Sequence, residues 1–208
     1  MGLRYLALGD SYTIGEEVAV EGRWPHQLAS RLRAEGIDLA DPLTIATTGW
    51  TTDELDAAID AADPRGPFDF ASLLIGVNNQ YRGREVTEYA REFAALLGRA
   101  IGLAGGRADR VLVLSIPDWG VTPFGAASGR DVAAIARELD AYNATARQAC
   151  DANGVAFVDI TPASRALGAD PRMLADDGLH PSASMYAEWT KLALPGARRL
   201  LQPPRTTP

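Results

Sequence analysis

Cysteine is nearly absent from this sequence. Cys150 stands alone in 208 residues, so no intramolecular disulfide can form and the fold does not depend on an oxidising compartment. Its surroundings, Ala146-Arg147-Gln148-Ala149-Cys150, have helical spacing and give it the place of a small buried hydrophobe. Lysine is equally scarce, with Lys191 the sole example, and positive charge does not accumulate: the net charge is -7. Nucleic acid and anionic membranes both need a basic face, which excludes them as principal partners. No run of about 18 apolar residues occurs, so no membrane span is expected. The N-terminus passes directly into the first apolar run without the basic and apolar regions of a secretory signal, and the expected location is cytoplasmic. Two histidines and one cysteine make no zinc-ligand constellation, and neither a metal nor a cofactor is expected. Gly9 to Gly15 lacks the Gly-Lys-Ser/Thr of a phosphate loop. Gly102 to Gly106 ends a helix instead of following a strand, which argues against dinucleotide binding. Asp151-Ala152-Asn153-Gly154 opens like a calcium loop but lacks the remaining ligands; Gly154 reads better as a helix stop.

What is present is an alternation. Hydrophobic residues make up 47% and charged residues 23%, the balance of an ordinary water-soluble domain. Strand-like runs fall at 5–8, 43–46, 70–75, 111–115 and 155–158. Helical spacing falls between them at 25–35, 52–62, 84–103 and 131–153. A last helix is expected over 188–201, kinked or interrupted at Pro195-Gly196. Strand–helix alternation predicts an α/β protein with a parallel sheet, helices on both faces and right-handed crossovers. The pattern shows no internal repeat or linker, so residues 1–201 are expected to form one domain. The Pro-rich tail 202–208 is expected to fray.

Ligands of open parallel sheets bind beyond the C-terminal ends of the strands. The segments there are Gly9-Asp10-Ser11, Thr48-Gly49-Trp50, Gly76-Val77-Asn78-Asn79, Pro117-Asp118-Trp119 and the stretch reaching Asp177 and His180. A serine hydroxyl needs a neighbouring base to act as a nucleophile. Of the two histidines, His26 sits at the opening turn of the first long helix, where a structural role suffices. His180 follows Asp177 by three residues and precedes Pro181, which disfavours helix at position 180 and keeps the imidazole in a loop. The short Asp-x-x-His turn lets a carboxylate meet one ring nitrogen while the other takes a proton from Ser11. A tetrahedral intermediate also needs donors. The candidates are the Ser11 N–H, the Gly49 N–H and the side-chain amide of Asn78. Tyr12, Trp50, Tyr81 and Trp119 offer apolar or sugar-stacking surface near these loops.

With these segments in place, the chain resembles the GDSL, or SGNH, hydrolase family over nearly its whole length. The four blocks are Gly9-Asp10-Ser11-Tyr12-Thr13, the segment centred on Gly49, Gly76-Val77-Asn78-Asn79, and Asp177-Gly178-Leu179-His180-Pro181. The resemblance implies a three-layer α/β/α, flavodoxin-like fold with about five parallel strands. It implies Ser11 as nucleophile, His180 as base, Asp177 as its orienting carboxylate, and Ser11, Gly49 and Asn78 as the oxyanion hole. Two positions depart from the pattern: Tyr12 replaces the usual Leu, and Asn79 replaces the usual Asp, removing any charge-based support of that loop. The implied function is hydrolysis of small-to-medium acyl esters through an acyl-enzyme, with no cofactor. Thioesterase, lysophospholipase and carbohydrate deacetylase activities belong to the same family. A non-catalytic α/β binding module on the same scaffold would not need these four blocks.

Overall fold

A computed structural model describes residues 2–202. Apart from Gln202, the expected frayed tail lies outside the described residues. Five strands form one wholly parallel sheet: β1 (Tyr5–Gly9), β2 (Leu43–Ala46), β3 (Phe70–Leu74), β4 (Val111–Leu114) and β5 (Ala156–Val158), in the spatial order β2-β1-β3-β4-β5. Every residue of β1, β3 and β4 is buried, as expected of strands covered on both faces. The polar exception, Ser72, shares a 2.9 Å hydrogen bond with the Tyr5 hydroxyl.

Nine α-helices complete the described chain: α1 (Ser11–Ile14), α2 (Trp24–Ala34), α3 (Thr52–Ala62), α4 (Val77–Tyr81), α5 (Val86–Leu103), α6 (Pro123–Ala127), α7 (Val132–Asn153), α8 (Thr161–Leu167) and α9 (Ala183–Leu201). The chain runs outward from β1 to β2, then jumps back across β1 to β3. Right-handed crossovers therefore place α2 on one face and α3, α5 and α7 on the other, with α9 returning to pack against α2. The α2/α9 seam buries Trp24, Tyr186 and Trp189, and Thr190 Oγ1 donates across it to the Trp24 carbonyl at 3.4 Å. On the other face, Tyr89 of α5 stacks on Tyr142 of α7 at 4.4 Å. Cys150 is buried in α7, where loss of solvation pushes its thiol up to about 12.

The last helix corrects the expectation for it. It starts at Ala183, with the Ser182 hydroxyl accepting from Met185 N, and it runs uninterrupted through Pro195. Proline removes only the N–H that would reach one turn back, and the surrounding turns are held by packing. Gly196 is buried against the sheet, where an added Cβ would make ordinary van der Waals contact with Leu112 Cδ1 at 3.4 Å. Tertiary contact here outweighs a local breaking signal. The short helices α1, α4, α6 and α8 have too few turns to leave a periodic trace in the sequence.

Candidate active site

The direction reversal between β1 and β3 opens a crevice at the sheet's C-terminal edge. The segment after β1 forms its floor. Gly9 is dictated by close approach: a Cβ there would meet Thr13 Oγ1 at 2.2 Å and the Leu74 carbonyl oxygen at 2.4 Å. Asp10 caps α1, accepting from Tyr12 N at 3.0 Å, and so places Ser11 at the first position of the helix. The Asp10 carboxyl is fully buried and its Oδ2 has no hydrogen-bond partner among the described residues. Burial raises its pKa to about 7, against the opposing pull of the Tyr12 and Gly76 amides.

At the far end of the chain, Asp177 divides its carboxylate between two tasks. Oδ1 accepts from Leu179 N at 2.8 Å and His180 N at 2.9 Å, which folds the turn. Oδ2 meets His180 Nδ1 at 2.5 Å. Burial opposes ionisation of Asp177, but the imidazole and the two amides outweigh it and hold its pKa below the usual carboxylate value. With an acceptor behind Nδ1, the proton belongs on Nδ1 and Nε2 is left as the basic nitrogen. Asp176 is exposed and makes no hydrogen bond to the ring. The Tyr12 ring lies 5.9 Å from that of His180, centroid to centroid.

Ser11, Tyr12, Gly49, Asn78 and His180 line a single cleft of about 230 Å³. Gly49 takes φ +87°, a conformation open to glycine and strained for other residues. Among the described residues, the N–H groups of Ser11 and Gly49 meet no protein acceptor. Asn78 spends one side-chain N–H on the Trp50 carbonyl at 2.8 Å, which leaves its second one available. One wall of the cleft is aromatic. Trp119 lies edge-on to Tyr81 at 5.3 Å and tilted to Phe124 at 6.1 Å, with the Arg130 guanidinium over Trp119 at 5.3 Å and over Tyr81 at 5.7 Å. Thr48, Val77 and Leu179 fill the remaining lining. Trp50, expected at this wall, does not line the cleft. It packs against the core and contributes its carbonyl to Asn78.

Two supports carried no mark in the sequence. Gln80 is buried, accepts from Trp119 Nε1 at 2.8 Å and donates to Glu138 at 2.5 Å, fixing the indole. Arg82 donates to the Gly49 carbonyl at 2.6 Å. Asn79 is buried and does what a carboxylate there could not. Its Oδ1 accepts from Thr52 N at 3.1 Å while its Nδ2 donates to Thr52 Oγ1 at 2.6 Å and to Glu92 at 3.4 Å. A carboxylate at 79 would offer acceptors alone and would face Glu92 with like charge.

His26 opens α2 and does not reach the cleft. A larger groove of about 410 Å³ lies beside α7 and α8, but both of its arginines are already paired: Arg147 with Asp159 at 3.3 Å and Arg165 with Asp140 at 2.8 Å. Among the described residues, no cluster of three or more His, Cys, Asp or Glu could hold a metal ion, and no helix is long and apolar enough to cross a membrane.

Comparison with known proteins adds the following. The model of the GDSL-like lipase/acylhydrolase family matches residues 7–188. No curated protein sequence gives a significant match. Among solved structures, that of TesA superposes with a TM-score of 0.74 at 19% identity, covering 95% of this chain and 99% of the other. An acetylxylan esterase from Geobacillus stearothermophilus, Axe2, gives 0.72 at 19% identity over 94% of each chain. A lipase/acylhydrolase from Enterococcus faecalis gives 0.71 at 18% identity, over 98% of this chain and 100% of its own. At these identities the likeness is one of fold.

Proposed function

The chain belongs to the GDSL-like lipase/acylhydrolase family, and from that premise we propose that it is a serine ester hydrolase that cleaves small-to-medium acyl esters through an acyl-enzyme. One observation carries the reading. A hydroxyl, an imidazole with an ionised carboxylate 2.5 Å behind it, and three uncommitted N–H donors are gathered on one small cleft from four distant parts of the chain.

His180 Nε2 takes the Ser11 proton as Oγ bonds to the ester carbonyl carbon, and the carbonyl π pair moves onto oxygen. The Ser11 and Gly49 amides and the free Asn78 N–H hold that oxyanion. The intermediate collapses, the C–O bond to the alcohol breaks, and His180 returns its proton to the departing oxygen. Water, deprotonated by His180, attacks the acyl-Ser11 carbonyl; the second tetrahedral intermediate collapses, the acyl–Oγ bond breaks, His180 returns its proton to Ser11 Oγ, and the acid leaves. Asp177 keeps its charge throughout and stabilises the imidazolium formed at each step.

The cleft is smaller than the ~300–1,000 Å³ typical of pockets for drug-sized ligands, which supports short acyl groups over long lipid chains. Purified Ser11→Ala should lose hydrolysis of p-nitrophenyl esters, with acetate and butyrate the preferred wild-type substrates in a chain-length series. Near-wild-type turnover in Ser11→Ala would overturn the mechanism; a strong preference for long chains would overturn the substrate class alone.

A further inference from the structure

We propose that Arg82 is a positioning residue for the oxyanion hole: by donating to the Gly49 carbonyl it holds the Gly49 backbone in the orientation that turns its N–H toward the cleft. This rests on the reading above, in which the Gly49 N–H is one of the donors.

Three residues of α4 and its C-terminal cap grip one short stretch of backbone after β2. Arg82 Nη2 donates to the Gly49 carbonyl at 2.6 Å, Asn78 Nδ2 donates to the Trp50 carbonyl at 2.8 Å, and Asn79 Oδ1 accepts from Thr52 N at 3.1 Å. The stretch needs such a grip. Gly49 sits at φ +87° outside any helix or strand, and a Cβ there would have Arg82 Nη2, at 4.0 Å, as its nearest neighbour, so secondary structure does not fix its peptides. Trp50 N reaches back to the Thr47 carbonyl at only 3.3 Å. Of the three holds, that of Arg82 is the one applied directly to Gly49.

The guanidinium is itself seated. Glu54 takes it at two points, Nη2–Oε2 at 3.3 Å and Nη1–Oε1 at 3.4 Å. Glu54 is in turn held by Thr51, whose N–H reaches its Oε2 at 2.8 Å and whose hydroxyl reaches it at 2.9 Å, as part of the capping box that starts α3. A planar fork can serve a carbonyl and a carboxylate together; an ammonium serves both with poorer geometry. Arg82 does not line the cleft, so its influence on a reacting ester passes through Gly49. Its side chain is 44% exposed and that of Glu54 is 40% exposed, a setting in which an ion pair adds little to folding stability. Removing Arg82 should therefore disturb the donor far more than the fold.

The experiment compares Arg82→Ala and Arg82→Lys with wild type and Ser11→Ala on p-nitrophenyl butyrate. It adds the inhibition constant of phenylboronic acid, whose serine adduct mimics the tetrahedral intermediate. In Arg82→Ala, kcat should fall roughly 10- to 100-fold, less than the ~10²–10³-fold expected for deleting a donor outright. KM should stay within about 2-fold, boronate affinity should weaken in proportion to kcat, and the pH profile should not move. Arg82→Lys should recover part of the loss, and it serves as the readout if Arg82→Ala does not fold. Unchanged kcat and boronate affinity in an otherwise wild-type background would overturn the proposal, as would a rise in KM with kcat intact. An active Ser11→Ala enzyme would instead overturn the mechanism on which the proposal rests.

Discussion

Asp10 and Asn78 show how much of the site is a matter of single polar atoms in dry surroundings. Asp10 sits one residue before Ser11 with its carboxyl wholly buried and its pKa raised to about 7. A folded-state pKa above the unfolded value means that the native protein holds the extra proton. Stability should therefore decline as pH rises from about 4 to about 7 and level off beyond. Asp10→Asn keeps an oxygen for Tyr12 N but cannot ionise. Urea unfolding across that range should show a smaller decline in Asp10→Asn than in wild type; parallel curves would show that Asp10 is not the titrating group. Asn78 poses the opposite case, a neutral amide with one hydrogen already given to Trp50. Asn78→Ala should lower kcat on p-nitrophenyl acetate by about 10²–10³ with little change in KM. A drop in substrate affinity alone would mean that the amide binds the ground state. No composition or spacing reveals that Asp10 is buried, or that Asn79 suits Glu92 better than a carboxylate would. Those facts exist only once β1, β3 and α5 are side by side.

At the scale of elements, the sequence was most readable where hydrophobic period and length were both sufficient. The expected bounds of β2 and α3 match the structure, because Leu43–Ala46 and Thr52–Ala62 are bracketed by clear stops and, for α3, by the Thr51/Glu54 capping box. The one-turn helices α1 and α4 bear Ser11 and Asn78 yet show no period, since their conformation comes from Asp10 capping and from the glycine before Val77. The helix α9 ran against its local signal at Pro195, and this has a measurable consequence. Pro195 is exposed, and it forgoes a helical hydrogen bond. Pro195→Ala should restore that bond and raise stability by about 1–2 kcal/mol, after allowance for the greater freedom of the unfolded chain. A lower urea midpoint in the variant would mean that the ring's own contacts outweigh the missing bond.

For the molecule as a whole, topology does the assembling. The order β2-β1-β3-β4-β5 places the segments after β1 and β3 on either side of the reversal point, which is why Ser11 and Asn78 meet. The alternation of strands and helices made this architecture legible in advance, and the four blocks made the residues at its edge legible. Their supporting contacts were not: that Gln80 fixes the Trp119 indole and that Arg82 grips the Gly49 carbonyl depends on how α4 lies against its neighbours, which one sequence does not specify. Docking of α9 on α2 anchors the segment just beyond His180. A chain ending at residue 175 would keep the five strands and Ser11 but lack His180, the proposed base, and that seam. Such a chain, produced alongside the full-length protein, should show no esterase activity and a markedly lower Tm; measurable turnover would mean that another group can replace His180.

A ribosome makes Ser11 long before His180. At about 5–20 residues per second, the growing polypeptide carries its hydroxyl for on the order of 10–30 s before the imidazole exists. On the proposed mechanism, the nascent protein cannot turn over an ester through that interval. Ester hydrolysis then begins only after His180 has been made and has folded beside Ser11.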